Sequence, residues 1–199
     1  MRTKYICLYK FSKKWKQWLK HCKNHKRNVS NDNTIAGKFT LKIKYNDATI
    51  TKDFTLDESI KTNNTKIKIK SKNILILVDK DKTYNYKNLI DSLTIKNATI
   101  SIKNIENKEI TGNTTTIGTD YKLKTNNNNV YNIIIKGDVT GDGTINSADL
   151  LKIVKYLKGT TQLTDNQKTA SDCTNDSTIN SADLLKIVKY LKGTVTLTF

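Results

Sequence analysis

The stretch TINSADLLKIVKYLKGT occupies Thr144–Thr160 and returns, identical at every position, at Thr178–Thr194, an offset of 34 residues. A repeat at fixed spacing means that one supersecondary unit is used twice. Directly ahead of the copies stand GDVTGDG, Gly137–Gly143, and SDCTNDS, Ser171–Ser177. In both, acidic residues alternate with small polar ones, so the chain can turn many oxygens toward one point.

That alternation matches a twelve-residue calcium loop, in which positions 1, 3, 5, 7, 9 and 12 supply oxygen, position 7 through its backbone carbonyl and position 9 often through water. Counted from Asp138, these are Asp138, Thr140, Asp142, Thr144, Asn146 and Asp149. Counted from Asp172, they are Asp172, Thr174, Asp176, Thr178, Asn180 and Asp183. Ca²⁺ is a hard cation that takes six to eight oxygens at about 2.4 Å, and this spacing delivers them from one short segment. Gly143 falls at position 6, where the backbone needs a positive φ. Ser177 replaces it in the second loop, and Asn175 stands where the first loop has Gly141. A non-glycine residue in the left-handed region costs about 1 kcal/mol. Two Ca²⁺ sites are therefore expected, the second weaker. Ile145 and Ile179, at position 8, are apolar and suited to pairing the loops.

Each loop feeds a helix of about eleven residues, capped by Asn146 or Ser147, with Asp149 in its first turn and Gly159 at its end. Leu150, Ile153, Val154 and Leu157 form the apolar stripe, matched by Leu184, Ile187, Val188 and Leu191. Thr164 and Gln167 have capping-box spacing for a short connecting helix. The YNIIIK run before Gly137 is strand-like, so each unit is a loop with an exiting helix and no entering one.

Upstream, the apolar period changes to two. Strands are predicted at 39–45, 48–54, 65–70, 73–78, 93–103, 115–124 and 130–136, with a bulge or tight turn at Lys96-Asn97. Residues 57–61 and 86–93 read as short helices or turns, and 125–129 as a loop. Short strands separated by Asn/Asp turns predict an immunoglobulin-like β-sandwich over 35–135. Its carboxylates (Asp57, Glu58, Asp79, Asp81, Asp91) and scattered tyrosines form no catalytic pattern.

The formal charge is +17 over 199 residues, and it is uneven. Residues 1–30 hold ten Lys and Arg and no acid, whereas 131–199 balance eight Lys against seven Asp. Phe11, Trp15, Trp18, Leu19 and Cys22 have helical spacing, giving a basic amphipathic segment. It reads either as a membrane-surface or nucleic-acid contact, or as a docked helix or non-native leader. For the whole chain no nucleic-acid partner is expected. Three scattered cysteines build no disulfide framework. No apolar run is long enough for a transmembrane segment, and none has the form of a secretory signal.

The duplicated loop–helix, with GDVTGDGTINSADL and its YLKG end, resembles the type I dockerin domain over about 136–194. The resemblance implies a calcium-dependent module of exported proteins, extracellular or at the cell surface, that plugs into cohesin domains of a scaffold. Such assemblies are cellulosome-like and degrade or grip polysaccharide. The resemblance places partner contacts at Ser147, Ala148, Val154 and Lys155, and at Ser181, Ala182, Val188 and Lys189. Val154 and Val188 stand where many members carry Lys. Two identical helices imply two binding orientations related by a half-turn.

The expected architecture is mixed and multi-domain: a basic helical or unstructured segment at 1–34, the β-sandwich at 35–135, and an all-α dockerin with paired EF-type loops at 136–199. The chain is expected to be a non-catalytic module attached to a polysaccharide-degrading or surface protein, with polysaccharide reached through that parent. The alternative is that the β-domain is itself a glycan-binding or glycoside hydrolase fragment. Because dockerins are exported, the lack of a visible signal points to a fragment or a misassigned start.

Overall fold

The computed structural model describes residues 36–45 and 48–199. The basic segment at 1–34 and the Asn46-Asp47 connection between the first two predicted strands lie outside these residues.

Strands β1 (Gly37–Tyr45) and β2 (Ala48–Leu56) form an antiparallel pair with Phe39 opposite Phe54. A second pair joins β3 (Ser59–Thr62) to β6 (Leu93–Lys96). The main sheet has six strands in the order β4 (Ile67–Lys70), β5 (Asn73–Ile76), β10 (Val130–Ile135), β9 (Lys122–Thr125), β7 (Ile100–Lys103), β8 (Glu109–Ile110). It is mixed, because β10 runs parallel to β5 while its other partner, β9, is antiparallel.

Period-two patterning sorts the faces. Ile67, Ile74, Ile76, Ile102, Ile110, Leu123, Ile133 and Ile135 are buried together on one face, each contributing about 1.5–3 kcal/mol. Lys68, Lys70, Lys122 and Lys124 alternate with them. Helix α1 (Tyr86–Asp91), held by an Asn85/Asn88 capping box, lays fully buried Leu89 on this core.

The region is β-rich as expected, but among the described residues its strands form one six-stranded mixed sheet and two ribbons, not two matched antiparallel sheets. Three local readings also change. Residues 57–61 were expected as helix or turn and instead lead into β3. The 93–103 strand breaks at Asn97, φ +57, so that β6 and β7 join different sheets; this is the predicted turn at Lys96-Asn97. The 115–124 strand is mostly loop. Thr116 makes a single bridge to Asn85, Asp120 turns at φ +71, and pairing resumes only at Lys122.

Beyond β10 come α2 (Ser147–Leu157), α3 (Asp165–Ser171) and α4 (Ser181–Leu191). Capping boxes start all three: Asn146 with Asp149, Thr164 with Gln167, Asn180 with Asp183. Val139, Ile153, Leu163, Cys173, Ile187, Tyr190 and Leu197 form a second core, with Ile145 and Ile179 packed against it. Ile145 touches both cores. The Lys136 amide donates to the Ile76 carbonyl at 3.0 Å. Asp120 accepts from the Thr164 hydroxyl at 2.9 Å and from the Asn166 amide at 2.8 Å. The sheet and the helices are thus bonded along a shared boundary.

Candidate metal centre

Both loops are drawn inward by their own backbone. Asp149 sits at position 12 of the first loop and at N3 of α2. Its Oδ2 accepts the Asn146 amide at 2.9 Å, and its Oδ1 accepts the amides of Val139 and Thr140, each at 2.8 Å. Asp138 accepts the Gly141 amide at 2.8 Å and the Gly143 amide at 3.2 Å. These bonds bring the Thr140 hydroxyl oxygen to 2.9 Å from Asp149 Oδ1 and 3.4 Å from Asp138 Oδ1. The second loop repeats this: the Thr174 hydroxyl lies 2.9 Å from Asp183 Oδ1 and 3.5 Å from Asp172 Oδ1. Each loop therefore converges oxygens from positions 1, 3 and 12.

Positions 5, 7 and 9 are placed differently. Asp142 Oδ1 accepts the amide of Thr144 at 2.8 Å and its hydroxyl at 2.7 Å, and Asp176 does the same with Thr178. Asn146 and Asn180 use their side-chain oxygens to cap their helices at Ala148 and Ala182. Among the described residues no three acidic, histidine or cysteine side chains form a metal-holding group, so the structure gathers two carboxylates and a hydroxyl per loop.

Electrostatics fit a cation. Asp138 and Asp149 are fully buried. Burial first, then repulsion from Asp149 and Asp142, pushes the Asp138 carboxyl up to about 6. Burial likewise raises Asp149. Neighbouring buried carboxylates that resist ionisation are what a bound divalent ion relieves. The donors are all oxygen, as calcium prefers.

Two residues were not legible as site residues. The Thr119 amide, from the β9 approach, donates to Asp138 Oδ2 at 2.8 Å. Lys136 buries its ammonium against the Thr169 carbonyl at 3.0 Å and against the Asp172 carbonyl. It thus places positive charge at the start of the second loop, and burial lowers its pKa. No spacing rule marks either residue. The glycines behave as anticipated at position 6, with Gly143 at φ +80 and Ser177 at φ +68. Position 4 is also left-handed, at +85 for Gly141 and +65 for Asn175.

The residues that the resemblance assigned to partner contact lie on the outer faces of α2 and α4. Ser147, Ala148 and Lys155 are exposed, as are Ser181, Ala182 and Lys189, while Val154 and Val188 are half-buried. Leu151 and Leu185 stand beside them, 54% and 53% exposed.

Residues 138–191 thus hold a duplicated oxygen-lined loop, each copy with its exiting helix. Residues 136–192 match the family described as the dockerin type I domain. Type I dockerins bind calcium and are non-catalytic, cohesin-binding modules of cellulosome-like assemblies, typically extracellular or on the cell surface. The β-rich residues ahead of 136 fall outside that match. No curated protein and no solved structure matches the chain. No helix among the described residues is long and apolar enough to cross a membrane.

Proposed function

We propose that the chain binds one Ca²⁺ in each of the loops 138–149 and 172–183, forming paired EF-type sites. The dockerin so ordered anchors an exported polysaccharide-degrading or surface protein to a cohesin-bearing scaffold. When bound, Ca²⁺ supplies the charge that lets Asp138 and Asp149 ionise side by side. The chain's own residues fix positions 1, 3 and 12 through the backbone bonds described above. The domain division at 34/35 and 135/136 belongs to the same reading, with the β-rich region as spacer or ligand binder.

The observation that carries the partner reading is the equivalence of the two outer helix faces. Ser147, Ala148, Leu151, Val154 and Lys155 have the same exposure class as Ser181, Ala182, Leu185, Val188 and Lys189, whereas Tyr156 and Leu157 differ in exposure from Tyr190 and Leu191. Either face can therefore serve one cohesin, in two orientations. Within the β-rich region, Glu58 accepts from Thr125, Asn127, Asn129 and Tyr131. Burial works to raise its pKa, but these bonds outweigh it and hold the carboxyl below its ordinary value, which supports a structural pin more than a general acid.

The test is capture on the immobilised full chain from secreted and surface proteins of its source, with identification by mass spectrometry. A cohesin-bearing polypeptide retained in Ca²⁺ and released by EDTA is expected. Capture of no cohesin, or capture indifferent to EDTA, contradicts the proposal.

A further inference from the structure

The two loops differ at positions 4 and 6, and the structure gives a cause other than backbone strain. Positions 4 and 6 are left-handed in both loops, yet only the first loop keeps glycine at each. A Cβ on Gly141 would lie 2.8 Å from the Thr119 carbonyl oxygen, and one on Gly143 would lie 2.4 Å from that of Ile117. The other side of this contact is equally tight. Gly118 has an ordinary φ, yet a Cβ there would lie 1.9 Å from the Gly141 carbonyl oxygen. In the second loop the counterparts Asn175 and Ser177 are exposed, and side chains are accommodated. Glycine at 118, 141 and 143 therefore serves close backbone approach between the β-rich region and the first loop.

That approach reaches the metal ligands. Thr119 donates its amide to Asp138 Oδ2, and its hydroxyl accepts from the Ile135 amide at 3.1 Å, which fixes the end of β10 where the loop begins. Thr119 and Asp138 are both fully buried. The next residue, Asp120, holds the start of α3. We propose that the segment 117–119 is a clamp belonging to the first calcium site: it holds Asp138 for its role as a ligand, so calcium at loop 138–149 and the six-stranded sheet stabilise each other through this segment, while loop 172–183, which 117–119 does not bond, binds without the clamp. Ile117, Gly118 and Thr119 act as positioning residues, through Asp138 and the loop backbone. The inference rests on the calcium reading above and adds that residues 117–119 position a ligand of the first site and none of the second.

The primary test is hydrogen exchange of the unaltered full chain during calcium titration, followed by mass spectrometry. Peptides from β7 and β9 are expected to gain protection in step with loop 138–149. Protection of both loops with β7 and β9 unchanged overturns the clamp and leaves the calcium reading intact; no protection anywhere overturns both. The second test is calorimetric titration of Gly118→Val, which wedges a side chain against Gly141. A loss of about tenfold or more at one of two sites is expected, in the range of ordinary site–site coupling, with the other site unchanged. Equal affinities in variant and parent, or equal losses at both sites, contradict the proposal.

Discussion

The Tyr190 hydroxyl donates to the Val78 carbonyl at 2.9 Å, tying α4 to the chain just beyond β5. Tyr156, its mate in the repeat, is half-buried in a sequence-identical helix and makes no such reach, whereas Tyr190 is 3% exposed. Two identical helices thus have different duties on their inner faces while their outer faces stay alike.

This difference can be measured. Tyr190→Phe leaves a buried carbonyl without its donor, a loss of about 1 kcal/mol. Tyr156→Phe is expected to fall within about 0.5 kcal/mol of the parent, as for changes away from such bonds. Urea unfolding of the two variants checks the ranking, and equal losses would show that the α4 bond carries no weight.

Asp138 makes the metal-free protein sensitive to pH. Its carboxyl is raised from 3.8 to about 6, so the folded chain holds this proton more tightly than the unfolded chain does. The resulting stability is complete below the unfolded value and is lost as pH rises through about 6. Glu58, held below its ordinary 4.5, acts in the opposite sense at lower pH. Above about pH 4.5, in EDTA, stability is therefore expected to fall by on the order of 2–3 kcal/mol on reaching neutrality. Calcium should abolish that fall by taking the proton's place. Chemical unfolding at stepped pH, with and without calcium, reads both trends.

Cys173 sits between Asp172 and Thr174 and is fully buried. Burial first, eased by Lys136, pushes its thiol up to about 12. Little thiolate forms near neutrality, and reagent has no access. Alkylation at Cys173 in the calcium-loaded chain, followed by peptide mass spectrometry, should be roughly tenfold or more slower than in denaturant. Removal of calcium is expected to speed it, because the second loop shares this core.

The dockerin family at 136–192 and the helix starts were legible in the sequence because their signals are local. Ligand spacing, capping boxes at Asn146, Thr164 and Asn180, and the Ile153 stripe all act within one or two turns of chain. Sheet organisation was less legible because it depends on partners far apart in sequence. Nothing near Val130 says that β10 will run parallel to β5, or that the Asn97 turn will send β6 and β7 to separate sheets. The glycine pattern was visible but only half understood: Ser177 does adopt the left-handed conformation, while the room needed by Gly141 and Gly143 depends on Gly118, more than twenty residues earlier. Identical residues such as Tyr156 and Tyr190 carry no sequence trace of their different surroundings.

The most direct test of the central claim is calorimetric titration of calcium into the metal-stripped full chain, Asp138→Ala and Asp172→Ala. Two ions per parent chain are expected, one lost in each variant, with the larger loss of affinity for Asp138→Ala, since that site is the more buried and the more firmly held. Absence of calcium binding by the parent chain, or full binding retained in both variants, would contradict that claim.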